Sequence, residues 1–184
     1  QGNWRRTLGW NVTASARHFP LSLMQPLFQQ DIGLTGSMDA DVVARAPYAG
    51  TSSATIGLRL SPGSVRHPAR GEHQVQVDYD TASATLQAKQ GRAQSHLSVR
   101  LKNQGTLDAS LAFPLNLSGT TAPADASLQG DINASLHDLS PLALFFPQLY
   151  QTRGRLDASW QVRGTLQRPR LSGQLTLKDG AADI

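Results

Sequence analysis

Apolar residues recur at every second position along almost the whole chain, and this alternation limits the fold more than any other feature. Trp10, Val12, Ala14 and Ala16 share one parity, as do Met38, Ala40, Val42 and Ala44, and then Ile56, Leu58 and Leu60. Val75, Val77 and Tyr79 are followed, after a parity switch at Asp80-Thr81 that reads as a turn, by Ala82, Ala84, Leu86 and Ala88. Leu97, Val99 and Leu101 lead, past a break at Asn103-Gln104-Gly105, to Leu107, Ala109, Leu111 and Phe113. Leu128, Ile132, Ala134 and Leu136 follow, then Leu156, Ala158, Trp160, Val162 and Leu166, and last Leu171, Leu175 and Leu177. The positions between them are mostly Ser, Thr, Asp, Asn, Gln and Arg. Successive side chains of a strand point to opposite faces, so each segment has one apolar and one wet face. The pattern predicts an all-β chain of roughly ten to twelve strands joined by Gly, Pro, Asn and Asp turns.

Composition decides how such strands can pack. Leu, Ile, Val and Phe number 42 of 184 residues, and alanine contributes 22 more; a thick two-layer core needs more large side chains than that. The bases are 14 Arg against three Lys and the acids 12 Asp against one Glu, Glu72. A chain that nearly lacks Lys and Glu while carrying 17 Ser, 13 Thr and 16 Gly is not built on helices. The net charge of +4 would suit an acidic partner, but the arginines are scattered, with no run beyond Arg5-Arg6. Without a basic stripe or a stacking platform the chain is not read as a nucleic-acid binder. No cysteine is present, so disulfides, thiolate metal ligands and thiol nucleophiles are excluded. No apolar run approaches the ~18 residues of a membrane-spanning helix.

Two stretches interrupt the alternation, His18 to Gln30 and Leu139 to Tyr150, and both read as short helices bounded by proline, at Pro26 and Pro147. They expose an internal repeat: Pro20-Leu21-x-Leu23-x-x-Pro26 aligns with Pro141-Leu142-x-Leu144-x-x-Pro147, and Gly36-x-x-Asp39-Ala40 with Gly154-x-x-Asp157-Ala158. The whole of residues 1–184 is therefore read as one continuous segment of a longer chain, with repeat units at about 10–130 and 131–184, the second truncated. Such units cannot bury an apolar face alone and must stack on neighbours.

The most specific run is Gly164-Thr165-Leu166-x-x-Pro169-x-Leu171-x-Gly173-x-Leu175-x-Leu177-x-Asp179-Gly180, preceded by the Leu142–Phe146 helix. It resembles the repeat of the TamB family, which is related to AsmA-like envelope proteins. Residues 139–184 carry the resemblance, and residues 14–46 share part of it until Ala46-Pro47-Tyr48-Ala49-Gly50 departs from the pattern. The resemblance implies an internal or carboxyl-terminal-region fragment of a periplasmic protein of a Gram-negative bacterium, anchored in the inner membrane by a segment outside this stretch. It further implies a long hydrophobic β-groove bridging the two membranes and a TamA-type outer-membrane barrel as partner. The cargo so implied is phospholipid acyl chains, nascent strands of outer-membrane or autotransporter proteins, or both.

His67, Glu72 and His73 lie close together, but the segment Gly63–Gly71 reads as a polar loop, and no HExxH-type spacing accompanies them. His18 and His137 are placed at strand ends next to the helices. Asp39/Asp41 and Asp78/Asp80 fall on wet faces, where pairing with Arg across strands accounts for them. No nucleophile elbow and no phosphate-binding glycine loop is present. Asn11-x-Thr13, Asn116-x-Ser118 and Asn133-x-Ser135 have glycosylation spelling but fall in strands. Nothing in the sequence asks for an enzyme, a cofactor or a metal.

What remains is the apolar face. In a sandwich it would be a sealed core, as in a secreted adhesin or autotransporter-like β-solenoid, and that is the alternative reading. The resemblance and the shortage of covering residues favour an elongated, strongly curved, one-faced sheet with two short helices. Its groove-lining residues would be Val12, Ala14, Met38, Ala40, Val42, Ile56, Leu58, Leu60, Val75, Val77, Leu97, Val99, Leu101, Leu107, Leu111, Ile132, Leu136, Leu156, Trp160, Val162, Leu175 and Leu177. Twelve stacked strands would make a trough about 55 Å long.

Overall fold

The computed structural model describes residues 9–27, 32–47, 51–67, 75–115, 117, 126–139 and 150–183. Eleven strands occupy most of them: β1 (Trp10–Pro20), β2 (Gly33–Leu34), β3 (Ser37–Ala46), β4 (Ser53–Leu60), β5 (Gly63–His67), β6 (Val75–Lys89), β7 (Arg92–Leu101), β8 (Gly105–Pro114), β9 (Gln129–Leu136), β10 (Tyr150–Gly164) and β11 (Pro169–Asp183). All join one antiparallel sheet in the order β1-β3-β4-β6-β7-β8-β9-β10-β11. The short strands β2 and β5 form an arm, with β5 paired to β6 and β2 to β5. Among the described residues β1 and β11 do not pair, so the sheet is open. This is the one-faced, groove-like all-β architecture that the alternation predicts, and the described residues form no second sheet to seal a sandwich.

Local chemistry explains the connections. Gln90 and Gly91, both at positive φ (53° and 74°), make the two-residue hairpin between β6 and β7. Asn103, at φ 58°, turns the chain from β7 into β8, where the sequence places a break. Pro169 opens β11, the edge strand, where its missing N–H costs no ladder bond.

Three readings are corrected. The Asp80-Thr81 parity switch is not a turn: β6 runs unbroken through it, and a β-bulge between Tyr79 and Thr81 shifts the register by one residue. The polar stretch from Gly63 is not all loop, because residues 63–67 form β5, held by Val65 opposite Val77. The trough is shorter than twelve strands would make it. Nine strands lie on the main path, and at ~4.8 Å each they span about 38 Å. The first Pro-bounded helix is a 3-10 helix, Leu21–Leu27, with Pro26 inside it; the second lies outside the described residues.

Bulges bend the sheet. One falls between Ala16 and Phe19, where His18 takes φ 52°, and another around Gly154, at φ 129° between Arg153 and Arg155. Gly36, which the internal repeat aligns with Gly154, is at φ 99°. Both positions need a conformation that L side chains rarely adopt. Among the described residues the buried hydrophobic set is small, with as many Ala (Ala88, Ala93, Ala126 and Ala158) as Leu, and no large side chain is fully buried.

Candidate hydrophobic groove

Strand register turns the alternation into rows that run across the sheet, along the direction of its hydrogen bonds. One row reads Ala16, Ala40, Leu58, Ala84, Leu97, Ala109, Ile132, Trp160, Gly173 from β1 to β11. The next reads Phe19, Met38, Leu60, Ala82, Val99, Leu107, Ala134, Ala158, Leu175. On the other side lies Ala14, Val42, Ile56, Leu86, Ser95, Leu111, Gly130, Val162, Leu171. A fourth row begins at Tyr79 and passes through Leu101, Gly105, Leu136 and Leu156 to Leu177. Val12 begins a fifth, which continues through Ala44, Ala54, Ala88 and Ala93 to Phe113.

The candidate lining residues therefore fall on one face, with two set apart. Val77 belongs to the arm, where it is 4% exposed opposite Val65, and Val75 stands at the register position opposite His67. Sequence reasoning missed Phe19, because the bulge at His18 hides its parity. It also missed the interruption of one row by Ser95 and Gly130, which only the cross-strand register reveals.

Among the described residues this face is open in part: Ala88, Ala93, Leu136, Ala158 and Val162 are buried, while other members of the rows stay exposed. Leu58 and Leu97, in the middle of the sheet, are 37% and 38% exposed, and Leu175 and Leu177 on the edge strand are each 53% exposed. Three rows about 6.7 Å apart across nine strands, with the two shorter rows across six strands each, outline roughly 800 Å², more than a monomeric protein ordinarily leaves contiguous and apolar. Polar intrusions are few. Ser95 Oγ donates to the Leu111 carbonyl at 3.4 Å, and Gly173 leaves room for the Trp160 indole, whose Cδ1 would lie 2.7 Å from a Cβ placed there.

Polar groups gather on the other face and at the arm. Arg17 pairs with Asp41 at 2.6 Å, and the hydrogen bond to Asp41 raises the guanidinium further above its already high range. The His18 backbone N–H donates to Asp39 Oδ1 at 2.7 Å, which holds that carboxyl below its ordinary value. The Arg17–Asp41 pair is the cross-strand charge pairing expected of Asp41; Asp39 instead accepts from the backbone, with Arg59 opposite it in register, and Asp78 accepts from the Gln76 amide at 2.8 Å. At the arm the Tyr79 hydroxyl donates to the Thr35 carbonyl at 2.9 Å, and burial pushes its pKa up. Thr35 Oγ1 and Ser64 Oγ share a hydrogen bond of 2.9 Å beside it. His67 lies in β5, while Glu72 and His73 fall outside the described residues. Among the described residues no three His, Asp or Glu side chains gather as metal ligands, and no helix is long and apolar enough to cross a membrane.

A family model described as TamB, N-terminal domain, matches residues 9–177. It takes in residues 51–130, where the sequence offered periodicity alone. Comparison with curated proteins and with solved structures gave no match.

Proposed function

The chain belongs to the TamB family, and from that premise we propose that its open sheet is one wall of a hydrophobic conduit for lipid acyl chains in the bacterial envelope. One observation carries this reading: three apolar rows run across all nine strands of the main path, and Leu58 and Leu97 within one of them stay 37% and 38% exposed. An acyl chain laid along a row meets methyl and methylene groups throughout its path and gains about 0.8 kcal/mol for each CH₂ removed from water. The segment acts by binding and performs no chemistry. The parent protein would sit in the periplasm, anchored in the inner membrane and working with a TamA-type outer-membrane barrel. The same face could shield nascent barrel strands, but continuity of the rows across the strands favours a flexible aliphatic guest.

The test is a charge placed inside the path. Leu97→Asp puts a carboxylate at a position already 38% exposed, so it stays partly hydrated and the sheet folds. An acyl chain crossing it must strip or skirt that water, at a cost of several kcal/mol. Native mass spectrometry of the chain purified with phospholipid should find lipid on the wild type and on Ser98→Asp. Leu97→Asp should stay folded with at least tenfold less lipid. Equal lipid on Leu97→Asp, or none on the wild type, overturns the proposal; unfolding of Leu97→Asp would mean that the face is sealed.

A further inference from the structure

The opposite, polar face carries a depression of about 450 Å³, within the size range of small-ligand sites. Register explains why it is there. Two polar rows cross β6 to β9: Gln87, Gln94, Ala112, Gln129, and beside it Thr85, His96, Ser110, Asp131. Strand β8 supplies only the short side chains Ser110 and Ala112, between longer ones from β7 and β9. The result is a trough along β8 with amide, imidazole and carboxylate walls.

These walls hold unused hydrogen-bonding capacity. Among the described residues, the side chains of Gln87, Gln94, His96, Gln129 and Asp131 make no hydrogen bond to another residue, and all are exposed. Elsewhere on the same face such groups pair with one another. Ser135 donates to Asp157 at 2.7 Å and Ser159 to Asn133 at 2.9 Å.

The lining narrows the ligand class. It contains no Lys or Arg to hold a phosphate or another anion, and no Phe, Tyr or Trp to stack a base. A single carboxylate does not make a cation site. Three glutamines, a serine (Ser110) and a threonine present donors and acceptors side by side without net charge. A ligand whose every group both donates and accepts matches such a surface. We propose that this trough binds a neutral saccharide chain running along β8. The site uses the face opposite the apolar rows and stands independently of the conduit.

Titration of the isotope-labelled chain with chitotriose and, separately, maltotriose tests this by nuclear magnetic resonance. Saturable shifts are expected at the side-chain amides of Gln87, Gln94 and Gln129, with millimolar affinity and with Leu58 and Leu97 unmoved. The double variant Gln94→Ala/Gln129→Ala, on a solvated face, should keep its circular dichroism and bind about tenfold more weakly, as the loss of two neutral hydrogen bonds implies. Response to chitotriose alone would identify an N-acetylated aminosugar polymer as the source; response to both would show that hydroxyl groups suffice. No saturable shift with either sugar, or undiminished binding by the double variant, overturns the assignment.

Discussion

Tyr79 holds the arm to the sheet. It is 6% exposed, faces Gly63 across the β5–β6 ladder and donates its hydroxyl to the Thr35 carbonyl beyond. Space around that hydroxyl is tight, since a Cβ at Gly36 would lie 2.9 Å from it. Replacing Tyr79 with Phe leaves the ring in place and strands the Thr35 carbonyl, so unfolding by urea should reveal a loss of about 1 kcal/mol. The same burial predicts a pH dependence. The folded phenol titrates above its ordinary value of 10.0, so the folded state holds its proton where the unfolded chain has already released it. This stabilisation is complete below pH 10 and is lost as pH rises through the folded value. The melting temperature of the wild type should therefore fall toward that of Tyr79→Phe on alkaline titration, and the gap between them should close. A gap that stays constant across the titration would mean that the phenol is not buried as its exposure indicates.

At the scale of the element, the β6 bulge shows what alternation can and cannot say. A turn and a bulge both shift parity by one residue, so the sequence around Asp80-Thr81 reads the same for either. Only the pairing of Tyr79 with Leu101 and Thr81 with Arg100 tells them apart. Strand β5 was illegible for a related reason: Val65 is its sole large apolar residue, too little to outweigh Pro62-Gly63 as a turn signal. The apolar face itself was legible throughout, because parity is a local property of each strand. The polar trough was not, because Gln94 and Gln129 become near neighbours only through the β7–β8–β9 register. Insertion of a single Gly after Asp80 tests the bulge. One extra residue keeps Tyr79 opposite Leu101; a second would rotate Val77 and Tyr79 to the polar face and out of the arm, exposing two side chains worth about 1.5–3 kcal/mol each. Hydrogen exchange should show β5 amide protection falling by a hundredfold or more while β8 and β9 keep theirs, and deletion of Asp80, which restores strict alternation through Tyr79, Thr81 and Ala82, should leave β5 protected. Unchanged β5 protection after the insertion would show that the arm does not depend on this register.

The whole molecule carries the thermodynamic mark of a missing layer. Its accessible surface is 13177 Å², whereas a compact monomer of 19.8 kDa would show about 8,600 Å² and the unfolded chain about 28,700 Å². Folding therefore removes from water about three-quarters of the area that a compact chain of this length would bury. The excess, about 4,500 Å², is what a single sheet open on both faces and both edges leaves in water, and the apolar rows, roughly 800 Å², are the part of it that a second layer would cover. Heat capacity reports this directly, since its change on unfolding follows the newly exposed area. A compact chain of 184 residues should give about 2.5 kcal/mol/K, and the open sheet about three-quarters of that, near 1.9 kcal/mol/K. Calorimetry on a dilute sample should find the lower figure, and saturating the apolar rows with a lipid should move the change upward as the occupied face loses its water. A value near 2.5 kcal/mol/K without lipid would mean that another layer already covers the rows, and a face covered in that way cannot serve as an open conduit.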